Sequence, residues 1–219
     1  MEPVNFSRDK IIYGVGCEKC HGPAAQHVDY QTAHPEIKTA SFIINPKKLT
    51  AQQQLDVCAL CHGGKMQKIK PSFQFVAGKN LADYFRIDSV NNLSLAGGEV
   101  EVHGNQYGLL RKSNCFRASS TMTCSSCHSI HEKERGQEAL FSARCMSCHP
   151  SNTAAFKTAT HLQVTGIEQK CISCHMPAQE STAIAVYLQG EERLRAAKVR
   201  THYISIYPGE TKKILNNEC

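Results

Sequence analysis

The sequence has no Trp, only 7% aromatic residues and little aliphatic content: Leu, Ile, Val and Phe together make 46 of the 219 residues, or 21%. That is the edge of the range in which chains fail to bury enough apolar surface to fold. Something other than side chains is expected to fill the interior. No apolar run is long enough to span a bilayer, which excludes an integral membrane protein. Residues 1–16 lack the charged start, apolar stretch and small-residue cleavage site of a secretory leader. Basic residues are dispersed and aromatics sparse, so nothing points to nucleic-acid binding.

What the chain does have is cysteine and histidine, 12 and 11 residues. Ten cysteines form five C-x-x-C pairs: Cys17 with Cys20, Cys58 with Cys61, Cys124 with Cys127, Cys145 with Cys148, and Cys171 with Cys174. Each pair is followed at once by a histidine, namely His21, His62, His128, His149 and His175. A bare C-x-x-C pair is ambiguous among zinc, thiol redox and iron–sulfur sites. None of these demands a His after every second Cys, whereas covalent c-type haem does. The two thiols add to the two vinyl groups on one porphyrin edge, and the next residue lies beneath the ring as proximal iron ligand. The pattern predicts five haems c. Attachment of this kind takes place outside the cytoplasm, where disulfides also persist. The protein is therefore expected in the periplasm or at the cell surface, its leader removed. Cys115 and Cys219 are left over, to pair with each other or stay as free thiols.

Six further histidines remain: His27, His34, His103, His131, His161 and His202. Five haems have five open axial positions, so nearly one imidazole is available for each. Bis-imidazole ligation gives low-spin iron suited to electron transfer. His131 follows His128 by three residues and His27 follows His21 by six, links too short to wrap around a porphyrin edge. Each is expected to serve a neighbouring haem, which implies haems packed in close pairs. His34 precedes a proline in a loop-like stretch and is the expected spare. Met146 and Met176 are also placed to ligate, but the histidines make them unnecessary.

The proximal histidines lie 41, 66, 21 and 26 residues apart, so the chain is not a regular repeat array. Thr50 with Gln53 reads as a capping box opening a helix that runs into CALCH. Residues 133–149 and 151–161 read as two more helices, 183–188 and 202–208 as short strands. The intervening GEERLRAAKVR reads as a charged surface segment. Residues 63–80 are basic, a solvated loop or a docking patch for an acidic partner. The expected architecture is a single domain over residues 1–219: mainly α with much irregular loop and little β, a small multihaem cytochrome c fold wrapped around a haem cluster.

The stretch GVGCEKCHGPAAQHV resembles the GxGCExCHGPGxxHV segment of cytochrome c554-type multihaem cytochromes. HGNQYGLLRKSNCFRASSTMTCSSCHSIHE is similar to their run of a His, a Cys-aromatic pair and MTCxxCHxxH. CISCHMP, with His161 upstream and RTHYISIYP downstream, resembles their C-terminal haem segment. The resemblance covers most of residues 12–208. It implies a haem stack shared with hydroxylamine-oxidising and nitrite-reducing multihaem enzymes, in a family whose members often only carry electrons. The family's distal ligands fall on His27, His103, His131, His161 and His202. Members carry further haem-binding sequence before this region, and only sixteen residues precede Cys17, so the chain reads as a shortened member or a fragment.

Two functions follow. One is an electron carrier between redox partner proteins. The other is a redox enzyme acting on a small nitrogen or sulfur oxyanion at one five-coordinate haem. The formal charge of +6 belongs to the polypeptide alone: haem propionates would bring it to about +1 when oxidised and about −4 when reduced.

Overall fold

A computed structural model describes residue 9, residues 14–87 and residues 105–216. His103 and Cys219 lie outside the described residues. Short helices dominate the first half: α1 (Glu18–His21), α2 (Ala25–Ala33) and α3 (Ala51–His62), the longest at 12 residues. Thr50 opens α3 with the expected reciprocal cap: its hydroxyl accepts from the Gln53 amide, and the Gln53 side chain accepts from the Thr50 amide. The β1 strand (Met66–Lys68) and β2 (Phe85–Ile87) pair antiparallel. Next come α4 (Gln106–Lys112), α5 (Asn114–Ala118), α6 (Glu138–Met146), α7 (Ala159–Leu162) and α8 (Cys171–His175). The chain then runs through β3 (Ala178–Tyr187), β4 (Leu194–Arg200) and α9 (Pro208–Leu215).

The expectation of a mainly α chain with little β needs correction. The described residues carry two antiparallel two-stranded sheets, and β3, at ten residues, outlasts every helix except α3. Its partner β4 is the segment read as charged surface. The ribbon is partly exposed, so it tolerates charge, and Glu180 stands opposite Lys198. Residues 202–208 are not a strand. Their amides are committed elsewhere, Ile204 N to Ser113 Oγ at 2.8 Å and Ser205 N to the His175 carbonyl at 3.2 Å.

Two helices are shorter than expected. The helix read over 133–149 is confined to α6, because Gly136 at φ +84° turns the chain just before it. The helix read over 151–161 reduces to α7. Thr158, extended at ψ 157°, breaks the turn and caps it instead, its hydroxyl accepting from His161 N.

Among the described residues the polypeptide core is small. Leu55, Ala59, Leu81 and Tyr107 cluster around α3 and α4, flanked by Met66, Phe75, Phe85 and Phe116. Leu109 packs separately against Val199 and Tyr203. Among the described residues, no helix is long and apolar enough to cross a membrane.

Candidate haem-ligating histidine cluster

Each C-x-x-C-H motif sits on or beside one helical turn. The His21 amide donates to the Cys17 carbonyl at 2.9 Å, His128 to Cys124 at 2.9 Å and His149 to Cys145 at 3.0 Å. This turn places the two thiols three residues apart on one face, with the imidazole a residue further on. The second motif ends α3 and the fifth forms α8. Within the fifth, the Cys174 amide donates to the Lys170 carbonyl at 3.4 Å, which closes the turn that carries Cys171 and Cys174 together. Cys17, Cys61 and Cys148 are exposed, whereas Cys174 and the remaining motif cysteines are half-buried.

The motifs gather in space. The Cys58 thiol lies against that of Cys124, joining the second motif to the third, and Cys145 lies against Cys171, joining the fourth to the fifth. Cys20 lies in the field of Cys58 and Cys61, and Cys127 in that of Cys148. All five motifs therefore belong to one cluster.

Three pairs of imidazoles share one centre-to-centre separation. His21 and His131 have ring centres 6.1 Å apart and planes 18° from parallel. His128 and His202 are also 6.1 Å apart, at 27°, and His161 and His175 are 6.1 Å apart at 77°. With metal–imidazole bonds of about 2 Å, two rings on opposite sides of one ion put their centres roughly 6 Å apart. The spacing fits two axial ligands of one iron. It is too wide for ring stacking alone to explain three times over. Among the described residues, no set of three or more His, Cys, Asp or Glu side chains could hold a bare ion.

Backbone carbonyls fix the tautomers. Nδ1 of His21 donates to the Ile44 carbonyl at 2.8 Å, His27 to Ser41 at 2.8 Å, His161 to Phe156 at 2.6 Å and His175 to Ser205 at 2.8 Å. A carbonyl can only accept, so Nδ1 holds the proton and Nε2 presents its lone pair, as an orienting outer shell requires. At His21 and His175 the bond is returned: Ile44 N donates to the His21 carbonyl at 3.1 Å, and Ser205 N to that of His175. Burial holds the His202 pKa down at about 4, helped by His128 beside it, and burial lowers that of His128 too. Both rings are neutral at pH 7, the form that binds metal.

An ion pair brackets the third motif. Glu134 and Arg144 form a two-pronged contact. Glu134 Oε2 also accepts from Ser129 N at 3.0 Å, and Arg144 Nη1 donates to the Cys127 carbonyl at 2.6 Å, one residue on each side of His128. Ser113 Oγ donates to the His202 carbonyl at 3.1 Å. Arg200 ties the end of β4 to α8 through the Ile172 and Met176 carbonyls, at 2.9 and 2.8 Å. None of these supports was read from the sequence, since a carbonyl acceptor carries no residue signature.

His34 stands apart, packed on Tyr30 and 3.6 Å from Glu36. His62 makes a contact of 3.3 Å to Gln106 Oε1. Among the described residues, no imidazole ring packs against His62 or His149. Cys115 is half-buried and free. A cleft of about 400 Å³ is lined by Arg111, Lys112, Asn114, Arg117 and Tyr203.

Residues 137–202 match a c-type cytochrome family. Its description is NapC/NirT cytochrome c family, N-terminal region, and the match takes in the fourth and fifth motifs, α6, His161 and His202. It covers less than a third of the chain, and it supports a c-type haem protein that transfers electrons with redox partners. Neither curated proteins nor solved structures give a match.

Proposed function

We propose that the chain is a pentahaem electron carrier of the periplasm or cell surface, of the cytochrome c554-like type. The observation that carries this reading is the triple recurrence of imidazole pairs at 6.1 Å. The ten motif cysteines, from Cys17 to Cys174, hold the porphyrins by thioether bonds, and His21, His62, His128, His149 and His175 are the proximal ligands. His131 is the distal partner of His21, His202 of His128 and His161 of His175. His27, its Nδ1 already committed to Ser41, and His103 complete the set at His62 and His149.

Each haem supplies a one-electron ferric–ferrous couple when bound. The residues do the rest. Paired imidazoles would hold each iron from both sides, which would exclude substrate and limit rearrangement on reduction. Clamps from Ile44 and Ser205 keep ring orientation fixed, and contact between motifs shortens the distance an electron must cross.

A second reading is a redox enzyme acting on a small nitrogen or sulfur oxyanion at one five-coordinate haem. The arginines of the cleft beside Tyr203 favour it, since such a cleft suits an anion.

Intact mass with a haemochrome spectrum tests the haem count. A mass increment other than five haems overturns the pentahaem assignment. Carbon monoxide added to the reduced protein separates the two readings: the carrier gives no spectral change, the enzyme does.

A further inference from the structure

The polypeptide's whole net charge lies in one stretch. Between Glu36 and Asp83 there are seven lysines and a single acid, Asp56, giving +6, which equals the formal charge of the entire chain. The other 173 residues carry 18 charges of each sign. Asp56 does not offset the lysines at the surface. It is buried, with Oδ1 accepting from Gln52 Nε2 at 2.7 Å and Oδ2 from Leu81 N at 3.0 Å. All seven lysines are exposed.

The stretch folds together beside the first motif. Leu49, next to Lys48, lies against Gly78, next to Lys79: a Cβ on Gly78 would stand 3.3 Å from Leu49 Cδ2. Gly22, just after His21, packs near Ile44 and Val76, where a Cβ would meet side chains at 3.1 and 3.6 Å. The loop between β1 and β2 carries Phe73, 90% exposed and at φ +68°, a region that bulky residues rarely adopt. Lys19, inside the CEKC motif itself, holds its Nζ 5.7 Å from the Phe73 ring centre. Lys70 Nζ sits 4.3 Å over Tyr84, and Lys68 Nζ donates to Ser72 Oγ at 3.1 Å. An exposed aromatic with Lys19 against it, in a loop that also carries Lys70, thus adjoins the first C-x-x-C-H motif.

We infer that this lysine-rich surface around Phe73 is the docking site for an acidic electron-transfer protein, which exchanges one electron with the haem of the first motif. The inference rests on the electron-carrier reading and adds to it the point of entry and the partner's chemistry. With the net positive charge confined to this stretch and the other residues balanced in charge, the surface would steer an acidic partner toward it before contact. Phe73 provides the apolar contact that remains once the charges have steered. The electron balance is simple: the reduced partner loses one electron and one ferric haem becomes ferrous, with no bond made or broken.

The test is stopped-flow reduction of the fully haem-loaded protein by a small acidic [2Fe–2S] ferredoxin, the probe for an acidic donor. The second-order rate should fall about tenfold as salt rises from about 20 to about 200 mM. The triple variant Lys65→Glu, Lys68→Glu, Lys79→Glu should lose about tenfold at low salt and flatten that salt dependence. A control of equal charge change elsewhere, Lys133→Glu, Arg193→Glu, Lys212→Glu, should stay within about twofold. Phe73→Ala should lower the rate at high salt as well as low. Equal loss in both triple variants, or in neither, overturns the proposal. So does patch-dependent binding to phosphatidylglycerol vesicles with ferredoxin rates unchanged, which would assign the surface to a membrane. Dithionite checks the underlying reading: if it fails to reduce the haem bands, the carrier reading falls as well. Full dithionite reduction with a salt-independent ferredoxin rate removes the docking surface alone.

Discussion

His202, just beyond β4, faces His128 of the third motif with ring centres 6.1 Å apart. The C-terminal segment therefore closes back on the middle of the chain. The bond from Ser113 Oγ to the His202 carbonyl holds it there. On the proposed ligation, replacing His202 by Ala would leave His128 as sole axial ligand. The reduced variant should bind carbon monoxide at one haem and show a high-spin signal from that haem when oxidised, the rest being unchanged. His202→Met should restore six-coordination and raise that haem's potential. An unaltered spectrum in His202→Ala would break the assigned pair.

The same logic applies to the supports. Ile44 holds His21 only through backbone atoms, so Ile44→Val should leave the His21 site intact, whereas Ile44→Pro removes the amide that donates to the His21 carbonyl. Ile44→Pro should loosen the His21–His131 pair, read as a broadened low-spin signal from one haem. An identical spectrum in both variants would show that the returned hydrogen bond does no positioning.

How much of this was legible in the sequence depends on whether side chains or backbone carry the feature. The five motifs are side-chain patterns at fixed spacing, and the Thr50–Gln53 box is another. Both are readable because the chemistry needs those residue types. AIAVYL marked part of β3 through its β-branched residues. Its partner β4 shows no clean alternation, because two of its three exposed positions carry charge and its other side chains are only half-buried. Gly136 was the overlooked signal for the late start of α6. The clamps at Ile44, Ser41, Phe156 and Ser205 were beyond reach, since any residue offers the same carbonyl. Glu134 and Arg144 were visible as charges, but only the fold brings both to the backbone around His128.

That pair gives the chain a pH dependence. The Arg144 guanidinium and the Ser129 amide hold the Glu134 carboxyl at about 2, below its ordinary 4.5. A depressed carboxyl stabilises the folded form fully above its unfolded value, and the contribution is lost as pH falls from about 4.5 to about 2. Glu134→Gln removes it. Acid unfolding followed by far-UV circular dichroism should show the wild type losing stability across that window. The variant should be less stable at pH 7 and flatter between pH 5 and 2. Parallel curves for the two proteins would sink the assignment.

Asp56 is the joint between α3 and the loop ahead of β2. It is 3% exposed, and its Oδ2 accepts the Leu81 amide at 3.0 Å. Asp56→Ala strands that buried N–H and leaves Gln52 without its acceptor at this site, costing about 1–3 kcal/mol. Thr50→Ala, at the exposed cap of the same helix, should cost about 1 kcal/mol. Chemical denaturation of the holoprotein measures both. A Thr50→Ala loss larger than that of Asp56→Ala would reverse the ranking derived from burial.

The last prediction concerns the haem-free chain. The polypeptide's own clusters rest on few side chains: Leu55, Ala59, Leu81 and Tyr107 in one, Leu109 in the other. Val15, Phe42, Ile130 and Leu162 are more than half exposed. Ordering each residue costs about 1–2 kcal/mol of backbone entropy, and with so sparse a core among the described residues the proposed porphyrins would supply most of the apolar surface that offsets it. Expressed without haem attachment, the chain should give a far-UV spectrum of largely disordered polypeptide, lack a cooperative thermal transition and be cleaved rapidly by protease. With haem attached, all three should reverse. A haem-free chain that melts cooperatively would mean that the side-chain clusters suffice, and the haems would then be passengers on a self-sufficient fold rather than its core.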